Sequence, residues 1–286
     1  MRIWAIADLH LSFGKPKPMD VFGDHWRDHP GRIARAWRER VASEDVVCLP
    51  GDLSWALKPA QAEPDLAWLG ELPGRKILVK GNHDYWWTST SRVRRMLPEG
   101  AFAIQGEGLV LDGVGFAGAR GWVDPELDFS PLMGHLPGED ARLHGIRGEE
   151  EDRRIYQREL GRLERSLRSL PDHAELRVAL LHFPPTSPRL EDTPVTRMLE
   201  RHRVDLCVFG HLHGPGWDRF ENPYGEKNGV RYYLASADFV RFAPVELLIP
   251  PASTRTRACG TSGAPVRPRC PGTRAAAGPC RGSPSQ

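Results

Sequence analysis

The chain has 286 residues and a mass of 32.0 kDa, with 40% hydrophobic and 27% charged residues, enough to bury one large core or two small ones. Lys and Arg number 39 against 37 Asp and Glu, so the formal net charge is only +2, which excludes a chain dominated by a polybasic nucleic-acid surface. The balance is uneven: residues 1–249 carry 33 bases and 37 acids, a net −4, while 250–286 hold six arginines and no acid.

In chain order, an apolar run at 2–7 predicts a strand and an amphipathic segment at 32–41 a helix. Strand 45–49 and helix 61–69 follow, then strand 76–79 and helix 90–97, and a strand at 114–117. The clearest helix is 149–170, with Ile155, Leu160, Leu163 and Leu167 near a 3.6-residue spacing and Arg and Glu on its solvated face. Strand 176–181, helix 195–202 and strand 205–209 come next. The runs 231–235 and 239–248 read as a closing hairpin or as neighbours in one sheet. Alternating strands and helices imply a layered α/β architecture.

From Pro250 the composition turns to Pro, Gly, Ala, Ser, Thr and Arg, too poor in bulky apolar groups to offset the entropy of ordering it. The expected organisation is one domain over 1–249 and a disordered tail over 250–286. No run approaches the ~18–20 apolar residues of a membrane-spanning helix. The opening run meets Asp8 too early for the core of a secretory signal. Cys48 and Cys207 lie in apolar runs, the other three cysteines lie in the tail, and no disulfide or metal-binding spacing joins them. The expectation is therefore a cytoplasmic protein with reduced thiols.

Chemistry concentrates where predicted strands end, the edge at which open α/β sheets place ligands. The first strand ends in Asp8-Leu9-His10, and in extended chain residues i and i+2 face one way. Later strands end in Gly51-Asp52, Gly81-Asn82-His83-Asp84, His182 and Gly210-His211-Leu212-His213. Seven separate buried hydrogen-bond solutions are a costly explanation for such residues. Four imidazoles, two carboxylates and an amide oxygen exceed one tetrahedral ion, yet suit two borderline metals bridged by a carboxylate. The glycines beside them read as sites of sharp backbone turns.

These blocks, in this order over 1 to about 249, resemble the calcineurin-like metallophosphoesterase family, and the segments around Trp4, Val21, Pro50 and Val79 resemble a bacterial subgroup known only as predicted phosphohydrolases. The resemblance implies a four-layer α/β/β/α fold, a two-sheet β-sandwich flanked by helices. It implies that Asp8, His10 and His213 hold one divalent metal and Asn82, His182 and His211 another, with Asp52 bridging. It further implies that a hydroxide between the metals attacks a phosphate ester while His83, positioned by Asp84, serves the leaving oxygen. Manganese is expected first, with Fe, Zn, Co or Ni as alternatives.

The substrate is expected to be a small phosphate ester, a diester or nucleotide-like, with a phosphomonoesterase or a non-catalytic metal-binding scaffold as alternatives. The net −4 of residues 1–249 disfavours nucleic acid, and no membrane or obligate protein partner is expected. Tyr85, Trp86, Trp87, Trp55, Trp122 and Trp217 could form an aromatic rim over the substrate or fill small cores instead. The long segments 12–30 and 121–148 are read as connections near the metal edge.

Overall fold

A computed structural model describes residues 1–124, 127, 149–214 and 224–248. The expected tail, most of the 121–148 connection and Trp217 lie outside those residues.

Two sheets form the centre. In the first, β1 (Ile3–Ala5), β2 (Val46–Pro50), β3 (Arg75–Val79) and β4 (Ala101–Ala103) run parallel, and β11 (Val245–Glu246) adds antiparallel beside β1. In the second, β6 (Val114–Ala119), β7 (Leu176–Leu181), β8 (Leu206–Phe209) and β10 (Val230–Leu234) run parallel, edged by antiparallel β5 (Leu109–Leu111) and β9 (Glu226–Lys227). Around them lie α1 (His29–Arg40), α2 (Pro59–Gly70), α3 (Thr90–Met96), α4 (Glu149–Arg168) and α5 (Pro194–Arg201).

Period-2 alternation along the strands builds the layers. Ile3, Ala5, Val46, Cys48 and Ile77 face Phe116, Val178, Leu180 and Val208 across the gap between the sheets. Trp4, Val47, Leu49 and Leu78 turn the other way, onto Ile33, Trp37, Leu66 and Leu69 of α1 and α2. Ala117, Ala179, Leu181, Cys207 and Phe209 pack under Leu163, Leu167, Val195 and Leu199 of α4 and α5. The result is the expected four layers, helix, sheet, sheet and helix. Strands covered on both faces are apolar throughout, each large side chain contributing about 1.5–3 kcal/mol relative to its exposed state. Cys48 and Cys207 are buried free thiols within it. No described helix is long and apolar enough to cross a membrane.

The five predicted helices and six earlier predicted strands occur within a few residues of their expected ends, but the closing hairpin does not. The strand β10 lies beside β8 in the second sheet and β11 beside β1 in the first. The apolar spacing of Phe239, Val240 and Phe242 resembles a strand, yet Arg241 and Phe242 take φ of +56° and +60°, turning the chain across the sandwich edge. The short β5, absent from the expected elements, pairs with β6 around Asp112-Gly113, both at positive φ. An Asp-Gly dipeptide between apolar runs is itself a hairpin signal.

Asp45 ties the first two strands together beneath the functional edge. Its carboxylate accepts from the Arg2 amide (2.8 Å), the Trp4 indole (3.0 Å) and the Ala42 amide (3.1 Å), with the Arg2 guanidinium at 3.3 Å. Burial pushes its pKa up, but these donors outweigh that and hold it below the ordinary aspartate range. A depressed folded pKa contributes stability that is present above the unfolded value, about 3.9, and is lost as pH falls through the folded value. We therefore expect Asp45→Ala to lose about 1–3 kcal/mol at pH 7. The gap from wild type should narrow as denaturant melts are taken from pH 5 towards pH 2. A gap that stays constant over that range would contradict the assignment.

Candidate metal centre

All seven expected ligands meet at one edge of the sandwich, where the carboxyl ends of β1, β2, β3, β7 and β8 converge. The extended Asp8-x-His10 arrangement does not hold. Asp8 and His10 take φ of +58° and +45°, and Asp52 and His211 take +52° and +73°. Left-handed backbone at four non-glycine residues is strain held by surrounding structure. The bonds that hold it are visible: Asp8 N–H donates to Gly51 O, His10 N–H to Asp52 O and Leu11 N–H to Leu53 O, at 2.9–3.0 Å.

Two sets of acceptor atoms result, with Asp52 between them. On one side His10 Nε2 lies 3.4 Å from His213 Nε2 and 3.9 Å from Asp52 Oδ2, while His213 Nε2 lies 3.6 Å from Asp8 Oδ1. On the other, Asn82 Oδ1 lies 2.6 Å from His182 Nε2 and 3.1 Å from His211 Nδ1, with Asp52 Oδ2 3.4 Å from His182 Nε2. Hydrogen bonds behind two of the rings, those of His182 and His213, orient what their nitrogens present. Nδ1 of His182 meets the Pro50 carbonyl at 3.0 Å, and a carbonyl only accepts. With the proton on that nitrogen, the Nε2 lone pair faces Asn82 and Asp52.

Asp238 does the same for His213. Its Oδ1 lies 2.9 Å from His213 Nδ1, and its Oδ2 accepts from the Gly214 amide at 3.2 Å. The chain reversal after β10 brings this carboxylate in, and sequence reasoning missed it. The signal was present, since Asp238 follows a predicted strand as the other site residues do.

The donor set fits divalent cations. Asp8 Oδ1 is buried with no hydrogen-bond partner, and Asp8 Oδ2 is already taken by the His211 amide at 2.9 Å. Buried acceptors turned on one another are costly unless a proton or a cation sits among them. The electrostatics agree. Burial and the nearby Asp84 and Asp8 charges push the Asp52 pKa well above the carboxylate range. Burial and neighbouring histidines hold His10 and His182 well below the usual imidazole value, neutral with lone pairs available. At His213 burial opposes charging, but Asp238 and Asp8 outweigh it and raise its pKa.

Two of the nearby glycines are required by space rather than by turning. A Cβ on Gly81 would stand 2.0 Å from Asp52 Oδ1, and one on Gly210 would stand 2.3 Å from Asp8 Oδ2. Neither has positive φ, in contrast to Gly51 at +93°.

His83 stands at the mouth, half-buried, its ring 4.4 Å from Trp55 and 5.7 Å from His10, and its amide donates to Asp52 Oδ1 at 2.7 Å. Asp84 is fully buried and directed at loop backbone. It accepts from the amides of Asp52 (2.9 Å), Ser54 (3.2 Å) and Gly81 (2.8 Å) and from the Trp86 indole (3.0 Å). This geometry makes it a positioning residue that acts on the Asp52 and Asn82 loops together. Of the described members of the aromatic rim, Trp86, Trp87 and Trp122 fill core, Trp55 stacks on His10, and Tyr85 is the one largely exposed.

The family described as calcineurin-like phosphoesterase matches residues 1–215. The Gene 66 protein of Mycobacterium phage D29 is 41% identical over 83 residues, 29% of this chain and 40% of that protein. Its counterpart in phage L5 is 33% identical over 81 residues, 28% of this chain and 39% of that protein. The matched region thus spans about two fifths of the length of these curated relatives. Among solved structures, the phosphopantetheinyl hydrolase PptH from Mycobacterium tuberculosis has a TM-score of 0.50 at 15% identity, covering 87% of this chain and 96% of that one. At that identity it supports the fold alone.

The Asp84 staple makes a mechanical prediction. Asp84→Ala strands three backbone donors and an indole, each costing about 1–3 kcal/mol when buried unpaired. Urea unfolding should therefore show a loss of at least about 3 kcal/mol. A loss under about 1 kcal/mol would contradict the staple.

Proposed function

We propose that this chain, which belongs to the calcineurin-like phosphoesterase family, is a dinuclear phosphodiesterase acting on a small, nucleotide-like ester in the cytoplasm. Family membership and the Asp and His groups at the sandwich edge support metal-dependent phosphoester hydrolysis. The two-metal form rests on one observation: two acceptor sets, each with imidazole nitrogens and an oxygen, share Asp52 Oδ2.

In this reading Asp8, His10 and His213 hold one divalent ion and Asn82, His182 and His211 the other, with Asp52 common to both. Manganese is the first candidate, and Fe, Zn, Co or Ni suit the same nitrogen and oxygen donors. Bound cations would neutralise developing phosphoryl charge and furnish a hydroxide near neutral pH. The residues do the remainder. Asp238 and the Pro50 carbonyl keep Nδ1 of His213 and His182 protonated, so each ring presents Nε2 inward. Asp52 is held through Oδ1 by the His83 amide, leaving Oδ2 to be shared. His83 offers its ring at the open side, where it donates a proton to the departing oxygen, a role worth about 10²–10⁴ in rate.

Metal analysis of purified protein should find about two divalent ions per chain after manganese loading, and Asp52→Asn should lose at least one of them. Bis-p-nitrophenyl phosphate should be hydrolysed faster than p-nitrophenyl phosphate. The reverse order would make the protein a monoesterase, and loaded protein that turns over neither would defeat the hydrolase reading. In the same assay His83→Gln should retain its metals while kcat falls about 10²-fold or more. Unchanged kcat would remove His83 from the chemistry.

A further inference from the structure

Beside His83 the surface opens into a cleft of about 430 Å³, walled by Lys15, Pro16, Lys17, Trp55, Leu57 and Tyr85. That volume suits a small organic ligand. Among the described residues its charged wall residues are the two lysines, in a region, 1–249, whose net charge is −4. Among the described residues no carboxylate lines the cleft itself; the charge of opposite sign acting on Lys17 is Asp52 of the metal edge.

The lysines are held in place. Each precedes a proline, in the run Lys15-Pro16-Lys17-Pro18, which bars both from helical backbone and narrows the conformations of the strap. Both lysines line the same cleft. Ser12 Oγ donates to the Lys17 carbonyl at 3.2 Å and anchors the strap. The Lys17 ammonium rests 3.1 Å from the centre of the Trp55 ring. That indole stacks on His10 at 4.7 Å and 19°. A cation is thereby fixed one indole away from a candidate metal ligand, on the side where His83 stands.

We propose that this cleft is a second-phosphate subsite: the substrate carries, on the leaving-group side of the ester that is cleaved, a further phosphate bound by Lys15 and Lys17. The inference rests on the phosphoesterase reading above and narrows its substrate class to bisphosphorylated, leaving-group-anchored esters. Lysine suits the task as a point charge for phosphate oxygens. Tyr85, 55% exposed and 6.3 Å from the His83 ring, and Leu57, 51% exposed, give the body of the leaving group apolar surface to lie on. Two lysines are too few to draw in a nucleic acid, whose affinity grows with the number of phosphates neutralised.

The probes are adenosine 5′-monophosphate and adenosine 3′,5′-bisphosphate, which differ only in the second phosphate. Each is measured as an inhibitor of bis-p-nitrophenyl phosphate hydrolysis and by equilibrium dialysis on manganese-loaded, full-length protein. Wild type should bind the bisphosphate about tenfold more tightly, the scale of one or two charge-assisted hydrogen bonds. In the Lys15→Gln/Lys17→Gln variant the ratio should collapse to within about twofold, and Lys15→Arg/Lys17→Arg should restore most of it. Because the ratio is taken within each protein, a general loosening of the site does not move it. Equal affinities in wild type, or a preference that survives in the Gln variant, would overturn the subsite. If wild type fails to hydrolyse the diester, the phosphoesterase reading falls, and the dialysis ratio still decides the subsite.

Discussion

Asp52 is a buried carboxylate crowded by two others, Asp8 and Asp84, and much of the site follows from holding it. One oxygen is bonded by the His83 amide, while the other faces His182 and His10 with Asp8 and Asp84 close by. Like charges crowded out of water repel strongly, so the chain confines them with backbone. The amide of Asp52 is bonded to Asp84, its carbonyl to the His10 amide, and its own φ is +52°. Relaxing that conformation would break bonds in two loops at once. The energy stored there has its natural release in divalent cations placed among the acceptors.

Two sheets are needed because neither supplies a complete donor set. The first contributes Asp8, His10, Asp52 and Asn82 from the ends of β1, β2 and β3, and the second His182, His211 and His213 from β7 and β8. Their relative position is fixed by the core between them, where Ile3, Val46 and Ile77 meet Phe116, Val178 and Val208. Such interiors pack near crystal density and deform little. The chain also sews the edge directly: Ala7 N–H donates to Ala235 O at 2.7 Å and Gly210 N–H to His182 O at 3.2 Å. The crossing from β10 to β11 completes the arrangement, since it carries Asp238 behind His213 and Phe242 against Trp26.

The strands and the polar residues at their ends were legible because both signals are local. Apolar runs that stop at Gly51-Asp52 or Gly210-His211 announce their place without knowledge of their neighbours. What escaped was non-local or conformational. Asp238 matters only because a turn with two left-handed residues, Arg241 and Phe242, sends the chain to the other sheet instead of back along the same one. The left-handed Asp8 and His10 are likewise set by bonds to the 51–53 loop, which residue order does not reveal. Trp86 and Trp87 look like a substrate rim in sequence, and only packing sorts them into the core while leaving Tyr85 outside.

A division of labour between the two kinds of segment explains how one edge can combine fixed chemistry with adjustable selection. Every group facing the acceptor sets is tied to a strand end by at least one backbone bond or packed ring, so substitutions there are felt by several loops together. The Lys15 to Lys17 strap is different: it lies on a connection between β1 and α1, held by prolines and one Ser12 bond. Changing its charge would alter which leaving group is welcomed without breaking any backbone bond that holds Asp52. Strain and buried charge therefore concentrate at the metal edge, and the strap's cations where, in the proposed reading, one substrate would be told from another, with Trp55 in contact with both.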